Sequence, residues 1–295
     1  MRRDCDAASS VVIGFVVILM LVALAIGIWA LVSVPAEVKE AESSHAIGLS
    51  NAFLDLKLSM DKVRVQNLSG ARVSMLLPGS SGMSATTIGF TKDTGTLHLI
   101  WSGGGGLAPS SKEWGLDRIF AQVGGTRGTT VIGYEGGGVF RSDNGNGVWL
   151  TPGLLEIYPD ASASNNATVR VDLVVVNLTG EAAVSSNRGV PLDCLYVERA
   201  DVDPATQYYN GTLTISVTGG QEDLWYSLFS EAKVRYDLAM EEFRKSHPDY
   251  MIEVEIPNGE YPILKIGEGG DQWVKVYIRE ATYDVSLVNR YAIAG

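Results

Sequence analysis

The sequence predicts an α+β fold: a long N-terminal helix followed by a mainly antiparallel, β-rich domain that includes one packed helix. Three observations predict this fold. The segment Ser9–Val34 is apolar and uncharged, and the segment after it repeats apolar residues every three or four positions. From Asn67 onward, short runs of β-branched and aromatic residues alternate with glycine, proline and asparagine, as is typical of strands and turns.

The apolar segment is too long for the hydrophobic region of a secretory signal peptide, which has about 7–15 residues. As a helix, Val11–Val34 would be roughly 36 Å long, enough to cross a hydrocarbon core of about 30 Å. A helix that is apolar on every side requires lipid or a very large protein core around it. The sequence therefore predicts a transmembrane helix over residues 9–35, preceded by a short segment over residues 1–8 that contains two arginines.

The charges on either side of this segment predict its orientation. Arg2 and Arg3 precede the segment, whereas acidic residues outnumber basic ones just beyond Pro35. Basic residues flanking a membrane helix favour the cytoplasmic side. We therefore expect a single-pass protein of the cell membrane with a cytoplasmic N-terminus and an extracellular C-terminal domain.

Residues 36–66 predict an amphipathic stalk helix that continues from the first helix with a bend near Pro35. Its apolar positions recur at steps of three and four: Val38, Ala41, His45, Leu49, Ala52, Leu56, Met60 and Val63. Ile47, Phe53, Leu54 and Leu58 widen this apolar face. A face so broad favours packing against a sheet over a two-stranded coiled coil, whose seam uses only two positions in seven.

Residues 67–295 predict a β-rich extracellular domain. Strands are predicted at RVSMLLP, TTIGF, TLHLIW, TTVIGY, GVF, GVWL, LLEIY, TVRVDLVVVNL and TLTISV. TLHLIW and TVRVDLVVV alternate apolar and polar residues, which indicates strands with one solvated face, and we expect an all-antiparallel sandwich or rolled sheet. Apolar residues from Trp225 to Phe243 step by three and four, which predicts one helix over about residues 222–246 that docks on a sheet. The segments MIEVEI, YPILKI and QWVKVYIREATYDVSLV predict the last strands.

The overall charge and the cysteines exclude some partners and linkages. The chain of 295 residues has 34 acidic and 23 basic residues, a net charge of −11, which argues against nucleic acid as a partner. Cys5 and Cys194 lie on opposite sides of the predicted membrane helix, so one molecule cannot pair them. Stability must therefore come from the core and not from disulfides.

The motifs that resemble chemical sites all lack the required context. The glycine runs at 103–106 and 136–138 are not followed by the lysine of a phosphate-binding loop, so they indicate turns, as does SDNGNG at 142–147. The three histidines are far apart and no nucleophile and base pair stands out. We therefore expect a non-enzymatic protein without catalytic, metal or cofactor-binding residues.

Asparagine and tryptophan offer candidates for glycan chemistry. Four N-x-S/T sequons, at Asn67, Asn166, Asn177 and Asn210, all follow the membrane segment and are candidate N-glycosylation sites, although chance also yields such sequons in a chain rich in serine and threonine. Five tryptophans of the β-rich domain could form a sugar-binding platform, but tryptophans in such domains are usually core residues. The five are Trp101, Trp114, Trp149, Trp225 and Trp273.

The stretch AASSVVIGFVVILMLVALAIGIWAL, followed by an amphipathic helix and a β-rich domain, resembles archaeal type IV pilin-like proteins. The resemblance assigns Arg2 and Arg3 to the leader, Ala7 or Ala8 to the residue before the cleavage site, and Ser9 to the start of the entry motif SSVVIG. It implies that cleavage removes only the leader. In filaments of this family the retained helix packs against its neighbours in a central core.

The middle of the chain adds to this resemblance. The segment VIGYEGGGVFRSDNGNGVWLTPGLLEIYPD, with the later helix containing LWYSLF, looks like the large pilin-like surface proteins of haloarchaea and methanogens. The large head implies a minor or tip subunit, or an anchor that never polymerises.

The sequence thus leads to the hypothesis of an archaeal pilin-like surface protein with a structural or adhesive role. Its N-terminal helix would serve as membrane anchor and as a filament core, with Gly14 and Gly27 permitting close helix packing between copies or with other pilin-like subunits. The alternative hypothesis is a stationary, membrane-anchored extracellular module that binds an envelope glycan or a protein.

Overall fold

The computed structural model describes residues 3–79, 86–102, 111–125, 128–160, 168–180, 184–185, 189–201, 207–248, 250, 252–257, 262–267 and 273–287. Within these ranges the chain forms a long N-terminal helix, a second helix and fifteen strands in two sheets. The predicted α+β class is confirmed.

The N-terminal helix α1 comprises Arg3–Val65 without interruption. The prediction of two helices is corrected, because α1 continues through both Pro35 and Gly48. A proline removes one helical hydrogen bond, yet α1 stays helical on both sides of Pro35, whose side chain is exposed. At 1.5 Å per residue, α1 is roughly 95 Å long.

The strands that form the head differ in number and length from those expected. Their bounds are β1 Arg72–Leu77, β2 Thr86–Ser102, β3 Ser111–Gly125, β4 Gly128–Glu135, β5 Gly138–Asp143, β6 Asn146–Thr151, β7 Leu155–Asp160, β8 Thr168–Gly180, β9 Val184–Ser185, β10 Val190–Asp201, β11 Gln207–Asn210, β12 Thr212–Gly219, β13 Val254–Glu255, β14 Ile263–Ile266 and β15 Trp273–Leu287. TTIGF and TLHLIW, expected as two strands, are the two ends of β2, which is irregular between Thr91 and Gly95.

The strands pair in two sheets. The first, sheet A, has the order β1-β10-β15-β8-β7, with β11 also paired to β15; the second, sheet B, has the order β13-β14-β12-β2-β3-β4-β5-β6, with β9 paired to β2. Sheet B is antiparallel, but in sheet A the strands β8 and β15 pair in parallel from Trp273↔Thr168 to Val285↔Gly180. The expectation of an all-antiparallel head is therefore wrong at this pair, whose long connection has the length that a parallel crossover requires.

Two hydrophobic clusters fill the head, and each contains residues from both sheets and from one helix. The first cluster includes the buried face of the second helix α2, Glu222–Arg244, together with β8, β12 and the start of β15. The second includes the part of α1 from Ala46 to Met60, together with β4, β10 and the end of β15. The stalk helix is thus a component of the core of the head.

α2 buries the expected stripe, whereas α1 buries a shorter and narrower one, since Val38 and Ala41 are only partly buried. Leu49, Phe53 and Leu56 are fully buried, whereas Ile47 and Leu58 are 53% and 67% exposed. The prediction that the last two extend the packed face is wrong. They lie on the side of α1 that faces away from the two sheets.

Candidate functional site

The first part of α1 is an exposed apolar helix. Every described large apolar side chain from Phe15 to Leu31 is at least 45% exposed, and the most apolar 18-residue window has a mean hydropathy of 3.0 with none of it buried. Among the side chains of α1 that the structure describes, that of His45 is the first to be buried. By length and composition, this helix can span a membrane.

The glycines of this segment have no steric role within one copy of the chain. A Cβ atom added at Gly14 or at Gly27 would meet nothing within 4 Å. Any requirement for glycine at these positions must therefore come from outside the protomer, such as the close approach of another helix.

The candidate processing region lies at the start of α1. The backbone of Arg3, Ala7, Ala8 and Ser9 is helical, while their side chains and the whole of Arg2 lie outside the described part of the chain.

The joint between α1 and the head is held by packing and by hydrogen bonds. The Tyr283 hydroxyl donates a buried hydrogen bond to the Met60 carbonyl oxygen at 2.6 Å. The His45 Nε2 and Thr86 Oγ1 atoms are 2.9 Å apart, also in a buried setting, and burial lowers the pKa of this histidine. These contacts fix both ends of the buried stripe of α1 to strands of the head.

A cleft of about 230 Å³ opens beside the end of α1. It lies between α1, the connection from β6 to β7, the middle of β8, and α2. Its lining residues are Lys57, Asp61, Arg64, Gly137, Thr151, Pro152, Gly153, Leu154, Leu155, Glu156, Val174, Val176 and Arg235. Sequence reasoning did not identify this group, which comes from five separate parts of the chain.

The inner wall of this cleft contains two buried cations that share one carboxylate. Asp61 accepts hydrogen bonds from Lys57 Nζ at 2.7 Å and from Arg64 Nη2 at 3.1 Å, and the two basic side chains are only 11% and 12% exposed. Arg64 Nε is buried without a hydrogen-bond partner among the described residues, and so is the nearby Tyr134 hydroxyl. Burial, followed by the charge of Asp61, raises the pKa of Tyr134 well above its usual range.

The sequons occupy different settings. Asn67 is exposed just after α1 with φ of 49°, and its side-chain oxygen lies 3.4 Å from the Tyr196 hydroxyl. Asn177 is partly buried on β8, and Asn210 ends β11. Asn166 lies outside the described residues. Asn67 is thus the sequon whose described side chain is most open to modification.

Four of the five head tryptophans are buried in one hydrophobic cluster or pack against it, so these four do not form an exposed sugar-binding platform. Trp114 and Trp225 are buried, and Trp101 and Trp149 pack against the same hydrophobic cluster. Trp149 donates from Nε1 to the Leu224 carbonyl oxygen at 2.7 Å, which holds the ring in place. The expectation that these residues are mainly core is confirmed for these four.

The remaining candidates for chemistry are separated in the fold. His98 lies beside Thr218 and Glu113 on sheet B, whereas His247 stacks on Phe243 after α2. Burial raises the pKa of the Cys194 thiol to about 12, so this cysteine is not an activated nucleophile. No group of three or more metal-ligating side chains occurs among the residues that the structure describes.

The two turns expected from glycine-rich motifs are present. Gly136 and Gly137, with φ of 56° and 86°, connect β4 to β5, and Asn144 and Gly145, with φ of 51° and 89°, connect β5 to β6. A Cβ atom at Gly136 would lie 2.6 Å from the Trp225 ring, so this glycine also permits close packing. The run at 103–106 lies outside the described residues.

Comparison with known families gives a match over most of the chain. The family of unknown function DUF7289 matches residues 7–254, which is most of the chain. The chain belongs to this family. The DUF7289 match begins at Ala7, within the candidate processing region, and includes the apolar helix, the cleft-lining residues and the His45–Thr86 contact of the joint, whereas Tyr283 lies beyond it. No curated protein and no solved structure matches the chain.

Proposed function

We propose that this DUF7289 protein is a pilin-like surface protein of an archaeal cell, held in the membrane by the first part of α1, with its head outside. The observation that carries the proposal is that one helix is an exposed apolar cylinder in its first part and a core component of the head in its second part. Because α1 is continuous, a force or displacement applied to the membrane part is transmitted directly to the head.

The exposed cylinder requires an apolar environment, and two environments meet that requirement. Before assembly, lipid would cover it. In a filament, the corresponding helices of neighbouring subunits would cover it, with Gly14 and Gly27 at the closest contacts. The role is then structural or adhesive, and glycosylation at Asn67 would be compatible with an extracellular head.

The first test is the N-terminus of the protein isolated from its native membrane, determined by mass spectrometry of the intact chain and of its first peptide. We expect a chain that begins at Ala8 or Ser9, because a pilin-like leader would be removed after Ala7 or Ala8. Retention of Arg2 and Arg3 would contradict processing and leave a stationary anchor.

The second test replaces glycines of α1 by leucine. Gly14→Leu and Gly27→Leu are expected to reduce the filament fraction sheared from cells at least about tenfold, because a bulky side chain at a close helix contact removes packing energy of more than about 1.4 kcal/mol. The membrane-bound fraction should not change, since leucine is more apolar than glycine. Filament yield is measured by immunoblotting and electron microscopy.

Gly48→Leu is the matched control for these variants. Gly48 also lies in α1, is exposed, and has nothing within 4 Å of an added Cβ atom, but it lies outside the apolar segment. The control should assemble normally. Equal filament yields for all three variants would contradict the proposed helix-packed core.

A second candidate function is a stationary, membrane-anchored binding module. The observation that favours it is the charged cleft beside the end of α1. Since four of the tryptophans are core residues, recognition of a ligand would fall to this cleft and not to an aromatic platform.

A further inference from the structure

One side of the second part of α1 is apolar although the head does not cover it. Ile47, Leu58 and Val65 are each more than half exposed, and Leu54 is only partly buried. Single exposed apolar side chains are common on protein surfaces. These four are not scattered, because at about 100° per residue they lie within about 40° of one another around the helix. They form a line about 27 Å long, which we call the seam.

The spacing of the seam is that of a two-stranded coiled coil. From Ile47, alternate steps of four and three residues lead to Asn51, Leu54, Leu58, Asp61 and Val65. These are the two core positions of a heptad pattern, with Asn51 and Leu58 at position a and Leu54 at position d. A single asparagine at position a lowers stability but specifies the register and the number of helices. Asn51 is exposed at such a position.

Asp61 is the one charged residue of the seam, and its charge is matched within the chain. Its carboxylate oxygens lie 2.7 Å from Lys57 Nζ and 3.1 Å from Arg64 Nη2. Two copies of a carboxylate that is already paired with cations repel each other less than two free carboxylates do. Asp61 therefore does not prevent contact between two seams.

We propose that the seam binds the seam of a second copy of this chain, so that two α1 helices lie side by side in parallel. Two copies held in one membrane by α1 have the same orientation and place Asn51 at the same height, which is the register that the asparagine requires. Anchoring also raises the effective concentration of the copies, which a seam of fewer than three heptads needs. The proposal rests on the membrane anchor of the proposed function, but not on filament assembly.

Two separate contacts explain why the apolar face of α1 is so broad. Packing of a helix against the core of its own protein uses a stripe roughly 100° wide. In α1 the head covers such a stripe, which includes Leu49, Phe53 and Leu56. The seam lies beyond this stripe, and a second copy would cover it.

The edge strand β6 extends the apolar surface beside the seam. Val148 and Leu150 of this strand are 56% and 36% exposed. Val148 pairs with Arg141 of β5, so both side chains lie on one face of sheet B. Arg141 lines the same cavity as Ser43, one turn of α1 before Ile47. β6 also lacks the charged residues and proline that usually protect an edge strand, so a second copy that covers the seam would shield it.

The pattern of the seam is interrupted toward the membrane. The next core positions in that direction are Ser44, Glu40 and Glu37. In a parallel pair the two copies of each glutamate would lie at the same height and repel each other. The proposed contact is therefore confined to the part of α1 that belongs to the head, and it does not involve Gly14 or Gly27.

The test is disulfide cross-linking of the full chain in isolated native membranes, where the anchor concentrates the copies. All variants carry Cys5→Ser, and Cys194 does not interfere because it is buried and burial raises its pKa to about 12. Leu58→Cys places a thiol in the seam, and a parallel pair would bring the two copies within the roughly 7 Å between Cα atoms that a disulfide allows. With copper phenanthroline as oxidant, we expect a product of twice the chain mass.

Ser74→Cys is the matched control. Ser74 is exposed on β1, whereas its neighbour Val73 is buried in the cluster that contains α1. Because adjacent side chains of a strand point to opposite faces, Ser74 faces away from α1. Its thiol reports random collisions between copies, and Leu58→Cys should give at least about tenfold more product, since a disulfide needs two thiols held close together.

A second variant disrupts the seam at a distance from the cross-link. Ile47→Cys should cross-link as Leu58→Cys does. Addition of Leu58→Glu to Ile47→Cys should lower the product at least about tenfold, because two carboxylates would face each other at a core position of the pair. Leu58 is mostly exposed within one copy, so this substitution leaves the core of the head unchanged.

Three outcomes would overturn the proposal. The first is no more product from Leu58→Cys than from Ser74→Cys, and the second is unchanged cross-linking of Ile47→Cys when Leu58→Glu is added. The third is a product whose mass includes a different protein. Absence of the chain from the membrane fraction would contradict the anchor and this proposal together, whereas loss of filaments with full cross-linking would contradict filament assembly alone.

Discussion

Phe53→Ala in the full chain is expected to lower the free energy of unfolding by about 3–5 kcal/mol, the usual cost of removing a buried aromatic ring. Phe53 is fully buried between the two sheets, in the cluster that also contains Leu49 and Leu56. Total stabilities are commonly about 5–15 kcal/mol, so the loss would be a large fraction of the whole. Urea unfolding in detergent micelles, followed by tryptophan fluorescence of the head, measures it.

Leu58→Ala is the control for this prediction. Leu58 lies on the same helix, five residues away, but it is 67% exposed. Its replacement should change the free energy of unfolding by less than about 0.5 kcal/mol, as is usual for surface sites. An equally small loss of unfolding free energy for both substitutions would contradict the role of α1 as part of the core of the head.

The contrast between Phe53 and Leu58 also shows how far the sequence predicts this fold. Periodicity correctly predicted a helix with a buried stripe, because the stripe repeats over several turns. Periodicity could not define the edges of that stripe, and Leu58 and Ile47 were wrongly placed within it. Which flanking residues are buried depends on the distance and angle of the two sheets, which no local pattern contains.

The sequence did not predict the strands β3 and β10, which depend on long-range pairing. β3 and β10 mix apolar residues with charged ones, glycine or proline, so their local preference for strand is weak. In the fold, β3 lies between β2 and β4, and β10 lies between β1 and β15. Hydrogen bonds on both sides compensate for the weak preference. The parallel pairing of β8 with β15 is likewise a property of the complete topology.

The cleft was missed for a related reason. Its charged residues lie near positions 57–64, 156 and 235, and only the folded chain brings these positions together. One local signal was present: Lys57, Asp61 and Arg64 are spaced so that a helix places all three on one side. This spacing predicts ion pairs, but it cannot show that burial leaves Arg64 Nε without an acceptor.

Glu135→Ala is the second substitution for which we expect a loss of about 3–5 kcal/mol in the free energy of unfolding, because it would leave a buried cation unpaired. Glu135 has no exposed surface and ends β4. Its Oε2 accepts a hydrogen bond from Arg118 Nε at 2.7 Å, and its Oε1 accepts one from Trp225 Nε1 at 3.3 Å. The carboxylate thus connects sheet B to α2.

Glu113→Ala provides a matched control on the neighbouring strand β3. The Glu113 side chain is 65% exposed and lies 3.2 Å from His98 Nδ1, so its loss should cost less than about 1 kcal/mol. Urea unfolding under the same conditions compares the two variants. A similar small effect of both would contradict the buried ion pair as a major support of the head.

A double substitution separates the charge of Glu135 from its packing. Combining Glu135→Leu with Arg118→Met removes both buried charges while keeping side chains of similar volume. Because an unpaired buried cation is the main cost of the single change, the double variant should unfold at a higher urea concentration than Glu135→Leu alone. If the double variant is instead less stable than the single one, the packing of Arg118, including its stacking on Phe140 at 5.1 Å, contributes more than the unpaired charge costs.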